Sequence, residues 1–80
     1  MGTKNNPGAF DCYANAEPEE PMFVLLARDP QAPRLVLEWA RNREEVYGPS
    51  VKVEEAKSCA ESMRKWANEQ RRKDAEDMPK

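Results

Sequence analysis

Arginine and aromatic side chains are the groups in this chain best suited to holding a ligand. Arg28, Arg34, Arg41 and Arg43 lie close together in the sequence, with Tyr13 before them and Tyr47 after. A guanidinium presents five donors in a planar fork that matches a carboxylate or phosphate. An aromatic face accepts a cation or a stacked heterocycle. The two types together can grip a phosphorylated or heterocyclic ligand, but they are also the types that anchor protein interfaces. These six residues are the candidate binding positions, set against plain surface and core roles for each. Trp39 and Trp66 fall on apolar helical faces, where core packing is the expectation over ligand stacking.

Catalytic constellations are missing. The chain has no histidine, so the usual base for a serine or cysteine nucleophile is absent. Its three glycines are scattered and form no phosphate loop. Glu19-Glu20, Glu44-Glu45 and Glu54-Glu55 are adjacent pairs. On a helix such neighbours diverge, so they read as solvated acids rather than a general acid and base. Cys12 and Cys59 stand alone, without the spacing of a zinc site, and are expected as buried, reduced thiols. No cofactor or metal is expected, and the reading is a binding protein, not an enzyme.

The elements that must position these groups follow from periodicity. Asp29 can cap a helix with Pro30 at its first position, and Leu35, Val36, Trp39, Ala40, Val46 and Tyr47 keep helical spacing up to Gly48-Pro49. This predicts a helix over 30–47, ended by a glycine and a proline. Ser50 can cap a second helix running from about Val51 to about Arg72. Within it, Val53, Ala60 and Ala67 recur every seventh position, as do Ala56, Met63 and Gln70, giving a seam of small residues that lets two helices approach closely. Lys57, Arg64 and Arg71 repeat beside that seam and read as a solvated flank. Glu61–Lys65 and Glu69–Lys73 are expected i,i+4 pairs. Two helices with a three-residue link make an antiparallel αα-hairpin. Before it, Phe10–Ala14 admits a helical turn or a strand. Met22–Ala27 is the most apolar run, bounded by Pro21 and Pro30, and leans towards a short strand.

The fold class is therefore mainly α, a hairpin with a short N-terminal extended segment. Residues 1–9 are expected as a flexible tail, 10–73 as one small domain and 74–80 as a frayed end. One hairpin and one apolar segment leave surface uncovered, so a homo-oligomer is expected, joined through the alanine seam or through Met22–Ala27.

Charge narrows the partners. Thirteen basic and fifteen acidic residues give a net charge of −2 with the signs interspersed, and residues 1–29 sum to −3. A surface tracking a nucleic-acid backbone needs clustered, unopposed Lys and Arg, so nucleic acid is not the expected partner. No leader or apolar span is visible, which points to the cytoplasm and away from membranes.

Residues 21–40, PMFVLLARDPQAPRLVLEWA, resemble a group of small phage and prophage proteins with an acidic-Pro lead, an FVL-x-A-x-D segment and AP-x-LV-x-x-WA. The Ala-rich Val53–Trp66 stretch is similar too. The likeness covers about half the chain and carries no residue role. It implies a phage-type accessory protein in the host cytoplasm. The leading expectation is neutralisation of a host or defence component by direct protein–protein binding. The alternatives are oligomeric sequestration of a small nucleotide signal, and a structural or assembly role in the virion.

Overall fold

The computed structural model describes residues 1–77 of the chain. It is mainly helical, with α1 at Cys12–Asn15, α2 at Ala32–Tyr47 and α3 at Val51–Asp77. Helices α2 and α3 pack against each other, as the periodicity anticipates.

The start of α2 is set by its prolines. A helix capped at Asp29 would need the Asp29 carbonyl to accept from the N–H four residues on, which is Pro33 and has none. The chain makes a turn instead. Ala32 N–H donates to the Asp29 carbonyl at 3.0 Å, and the Asp29 side chain accepts from Gln31 N–H at 2.9 Å. Helical bonding then begins with Leu35 N–H to the Gln31 carbonyl at 3.1 Å, so α2 starts at Ala32 rather than Pro30. At the other end Gly48 N–H reaches the Glu44 carbonyl at 2.7 Å, and Gly48 takes φ 83° and ψ 176°, a region essentially confined to glycine. Ser50 caps α3, its Oγ accepting from Val53 N–H at 3.1 Å. Helix α3 continues to Asp77, past the expected end near Arg72. Residues 78–80, the last of the segment expected to fray, lie outside the described residues.

The core is small and made mostly of alanine. Ala32, Ala40, Val53, Ala56 and Ala60 form the buried core among the described residues, with Val36 and Met1 packed on Ala40, Val53 and Ala56. The seam expected as an oligomer contact is thus filled within the chain at Val53, Ala56 and Ala60, while Met63, Ala67 and Gln70 are only half-buried. Side chains without branches bring the two backbones close, and each contact gains a little dispersion energy. Across the edge of this contact Lys57 Nζ pairs with Glu44 at 2.9 Å and with Glu54 at 3.7 Å. Glu61 turns to Arg64 at 3.4 Å, one position short of the expected Lys65.

The N-terminal part meets one expectation and overturns another. Phe10–Ala14 contributes to a helical turn because Asp11 caps it, accepting from Ala14 N–H at 3.2 Å. Met22–Ala27 is not a strand. No strand exists among the described residues, and an extended segment without a ladder partner does not persist as one. Met22, Phe23, Val24 and Leu26 are exposed. Within the segment read as a tail, the Met1 amine lies 3.2 Å from Glu55 and also donates to the Phe10 carbonyl.

Candidate functional site

Two concave surfaces flank the hairpin, and they differ in chemistry. The first is a groove of about 290 Å³ at the end of the hairpin remote from the Gly48–Ser50 turn. Arg34 enters it from the first turn of α2, and Arg64, Asn68 and Arg71 from α3. Positions 64, 68 and 71 lie on one face of a helix by their spacing. Arg34 and Arg64 stand equally far from Pro49 along the chain, so an antiparallel hairpin sets them opposite each other. Buried Pro33 and half-buried Ala67 form the apolar wall, and Asp29 stands in the lining as well. The N-terminal end of α2, with its partial positive charge, adds to the field there. Three guanidiniums and an amide in one concavity can clamp a phosphate by forked, charge-assisted bonds.

A larger and more apolar groove of about 600 Å³ lies between residues 1–4, residues 25–28 and α3. Leu25, Leu26, Cys59, Met63 and Trp66 supply its apolar surface, and Arg28 stands in its lining. Burial pushes the Cys59 thiol above its ordinary pKa, and the nearby Glu55 carboxylate adds to this against the opposing pull of the Met1 amine.

The six candidate residues are not gathered into one place. Arg34 is in the charged groove and Arg28 in the apolar one. Arg43 lies over two rings on α2, 5.4 Å from the centre of Trp39 and 5.1 Å from that of Tyr47. Arg41 is exposed and lines neither groove. Tyr13 is 81% exposed on α1 and Tyr47 76% exposed at the end of α2. Core packing does not hold for the tryptophans, since Trp39 is 42% and Trp66 44% exposed. The alanine seam brings α2 and α3 too close for an indole between them, and both rings are displaced to the flanks. Val46, near the end of α2, is 72% exposed as well.

By spacing along α3 alone Arg64 and Arg71 read as a solvated flank, and nothing there singles out Asn68. The signal was present in the combination of helical spacing on α3 and the hairpin's mirror relation about Pro49. Both thiols are free, Cys12 exposed and Cys59 half-buried, so the expectation of burial fails for Cys12. Among the described residues no helix is long and apolar enough to cross a membrane. In comparison with known proteins, no family model, curated protein or solved structure matches this chain.

Proposed function

We propose that the protein works by binding rather than catalysis, holding a small phosphorylated ligand in the groove of Arg34, Arg64, Asn68 and Arg71. The convergence of three arginines from two helices on one concavity carries this reading. Guanidiniums repel one another, and an anion between them relieves that repulsion while satisfying their forks. The volume lies near the lower end of the usual range for ligand sites, so it suits a phosphate with an attached sugar or part of a nucleotide. In the phage setting implied by residues 21–40, such a protein neutralises a host signal by sequestering it. Two free thiols suit a reducing host cytoplasm.

A second reading, neutralisation of a host protein by direct contact, is favoured by the face where Arg43 lies over Trp39 and Tyr47. Trp, Tyr and Arg are the types that dominate binding energy at protein interfaces. Either reading is compatible with self-association. The chain exposes 6967 Å², whereas a compact monomer of its mass exposes roughly 4,900 Å². The excess is more than twice the roughly 800 Å² that a standard interface covers on each partner.

Calorimetric titration with linear and cyclic nucleotides separates the two readings. The groove reading expects saturable binding that weakens by about 1.5–3 kcal/mol when Arg34, Arg64 or Arg71 becomes alanine. Changing Arg43 should leave that binding intact. Heat from none of the nucleotides, together with a host protein that binds wild type but not Arg43→Ala, would replace sequestration by contact inhibition.

A further inference from the structure

The charged groove contains an anion of its own. Asp29 lines it together with Arg34, Arg64 and Arg71. Opposite charges in one concavity would be expected to join, and here they do not. The ion pairs among the described residues include none between Asp29 and any of the three arginines, and Arg64 instead has Glu61 at 3.4 Å. The Asp29 carboxylate is held in place by the local backbone. Its Oδ1 accepts from Gln31 N–H at 2.9 Å, and its main-chain carbonyl accepts from Ala32 N–H at 3.0 Å. Pro30 and Pro33 stiffen the same turn, since each has a fixed φ. One carboxylate oxygen is thus engaged in the turn, while the other has further acceptor capacity.

We infer that Asp29 is a specificity-determining residue, which makes the groove select a phosphorylated ligand that also carries a hydrogen-bond donor beside its phosphate. This rests on the groove being a phosphate site. A bare anion meets three attractive charges and one repulsive charge there. A ligand with a hydroxyl or N–H group next to the phosphate turns the repulsive member into an acceptor and satisfies both signs. Sugar hydroxyls and the N–H groups of a nucleobase share this donor chemistry, and the groove's volume favours a donor close to the phosphate. Discrimination of this kind comes from a fixed polar group that is left unpaired by the wrong ligand.

Asp29→Asn gives the test, because asparagine can still accept from Gln31 N–H through its side-chain oxygen. The turn is preserved, while the negative charge is lost and an NH₂ donor replaces the second acceptor oxygen. Wild type and variant are titrated with inorganic phosphate, ribose 5-phosphate and guanosine 5′-monophosphate, with circular dichroism to verify equal helix content. Asp29→Glu serves as a second variant that keeps the charge but displaces it. The inference expects Asp29→Asn to bind inorganic phosphate more tightly and at least one donor-bearing ligand about tenfold more weakly, so that the order of preference reverses. A loss for ribose 5-phosphate assigns the contact to sugar hydroxyls. A loss for the nucleotide alone assigns it to the base. If Asp29→Asn strengthens all three ligands alike, Asp29 is only a general repulsive charge and the inference is overturned. If wild type binds none of the three, the phosphate reading of the groove itself falls.

Discussion

Cys12 and Cys59 are chemically alike in the sequence and unlike in the structure. Cys12 is exposed on α1, while Cys59 is half-buried with its pKa raised by desolvation. The thiolate is the reacting form, so alkylation near neutral pH should modify Cys12 well before Cys59. Mass-spectrometric timing of the two modifications tests this, and equal rates would contradict the burial of Cys59. The same shift bears on stability. A thiol whose folded pKa lies above its ordinary value of 9.0 favours the folded state fully below that pH, and the contribution is lost as pH rises through the folded value. Lys57 acts in the same sense from 10.5 upward, because its hydrogen bond to Glu44 raises its pKa against the cost of burial. Urea midpoints should therefore hold steady through the neutral range and fall above about pH 9, with Lys57→Met removing the later part of the fall. Of the candidate residues, Arg34 alone was legible in sequence as a member of the charged groove. Arg64 and Arg71 were hidden because a row of charges beside a seam is usually solvated. Their place in the groove depends on what lies across the hairpin.

At the scale of elements, the helices and their link were legible because their signals are local. Gly48, Pro49 and Ser50 state the break, and apolar spacing states the faces. The errors arose where two local signals competed. Asp29-Pro30 has the form of a cap and first turn, yet Pro33 removes the donor such a helix needs, and α2 starts at Ala32. Met22–Ala27 has the composition of a strand but no ladder partner among the described residues. The link can be tested by two substitutions with separable causes. Gly48→Ala places its Cβ in open space, so its cost is that of the backbone conformation alone, about 1–3 kcal/mol. Ser50→Ala loses one capping bond and should cost about 0.5–2 kcal/mol. Denaturant unfolding measures both, and a Gly48→Ala variant as stable as wild type would contradict the assigned turn. Ala60→Glu forces a carboxylate into the contact of α2 with α3, where Ala60 is 2% exposed. It should cost several kcal/mol and unfold the hairpin. A folded Ala60→Glu protein with altered self-association would return the seam to the role of an intersubunit contact.

The whole molecule is extended for its length. Its radius of gyration is 14.9 Å, against about 11.6 Å for a compact chain of 80 residues. Phe23 is 86% exposed and Val24 66%, while the buried core is four alanines and one valine. Burial of so little apolar surface leaves a narrow stability margin, and coverage by another copy widens it. Sedimentation equilibrium should give a mass above 9.2 kDa at micromolar concentration, with Phe23→Ser shifting it downward. A monomer at high micromolar concentration would refute self-association. Sequence reached the insufficiency of the core through chain length and composition. Of the two contacts expected to join copies, the alanine seam is taken up within one chain at Val53, Ala56 and Ala60, while Met22, Phe23, Val24 and Leu26 stay exposed.

The three-residue link between α2 and α3 also bears on how the protein comes to be folded. Residues on either side of Gly48–Ser50 need close only a very small loop before the first turns of the two helices meet, so the entropy of that first encounter is low. Contact can then spread outward by one turn at a time, past Ala40, until Arg34 is set against Arg64 last of all. Chains dominated by such near-diagonal contacts fold in about microseconds to milliseconds. A temperature-jump experiment should thus find fast relaxation, with a probe near Trp39 reporting before one at the charged groove. The end that carries the charged groove would be completed at the close of folding, and it would also be the first part to open when the chain is strained.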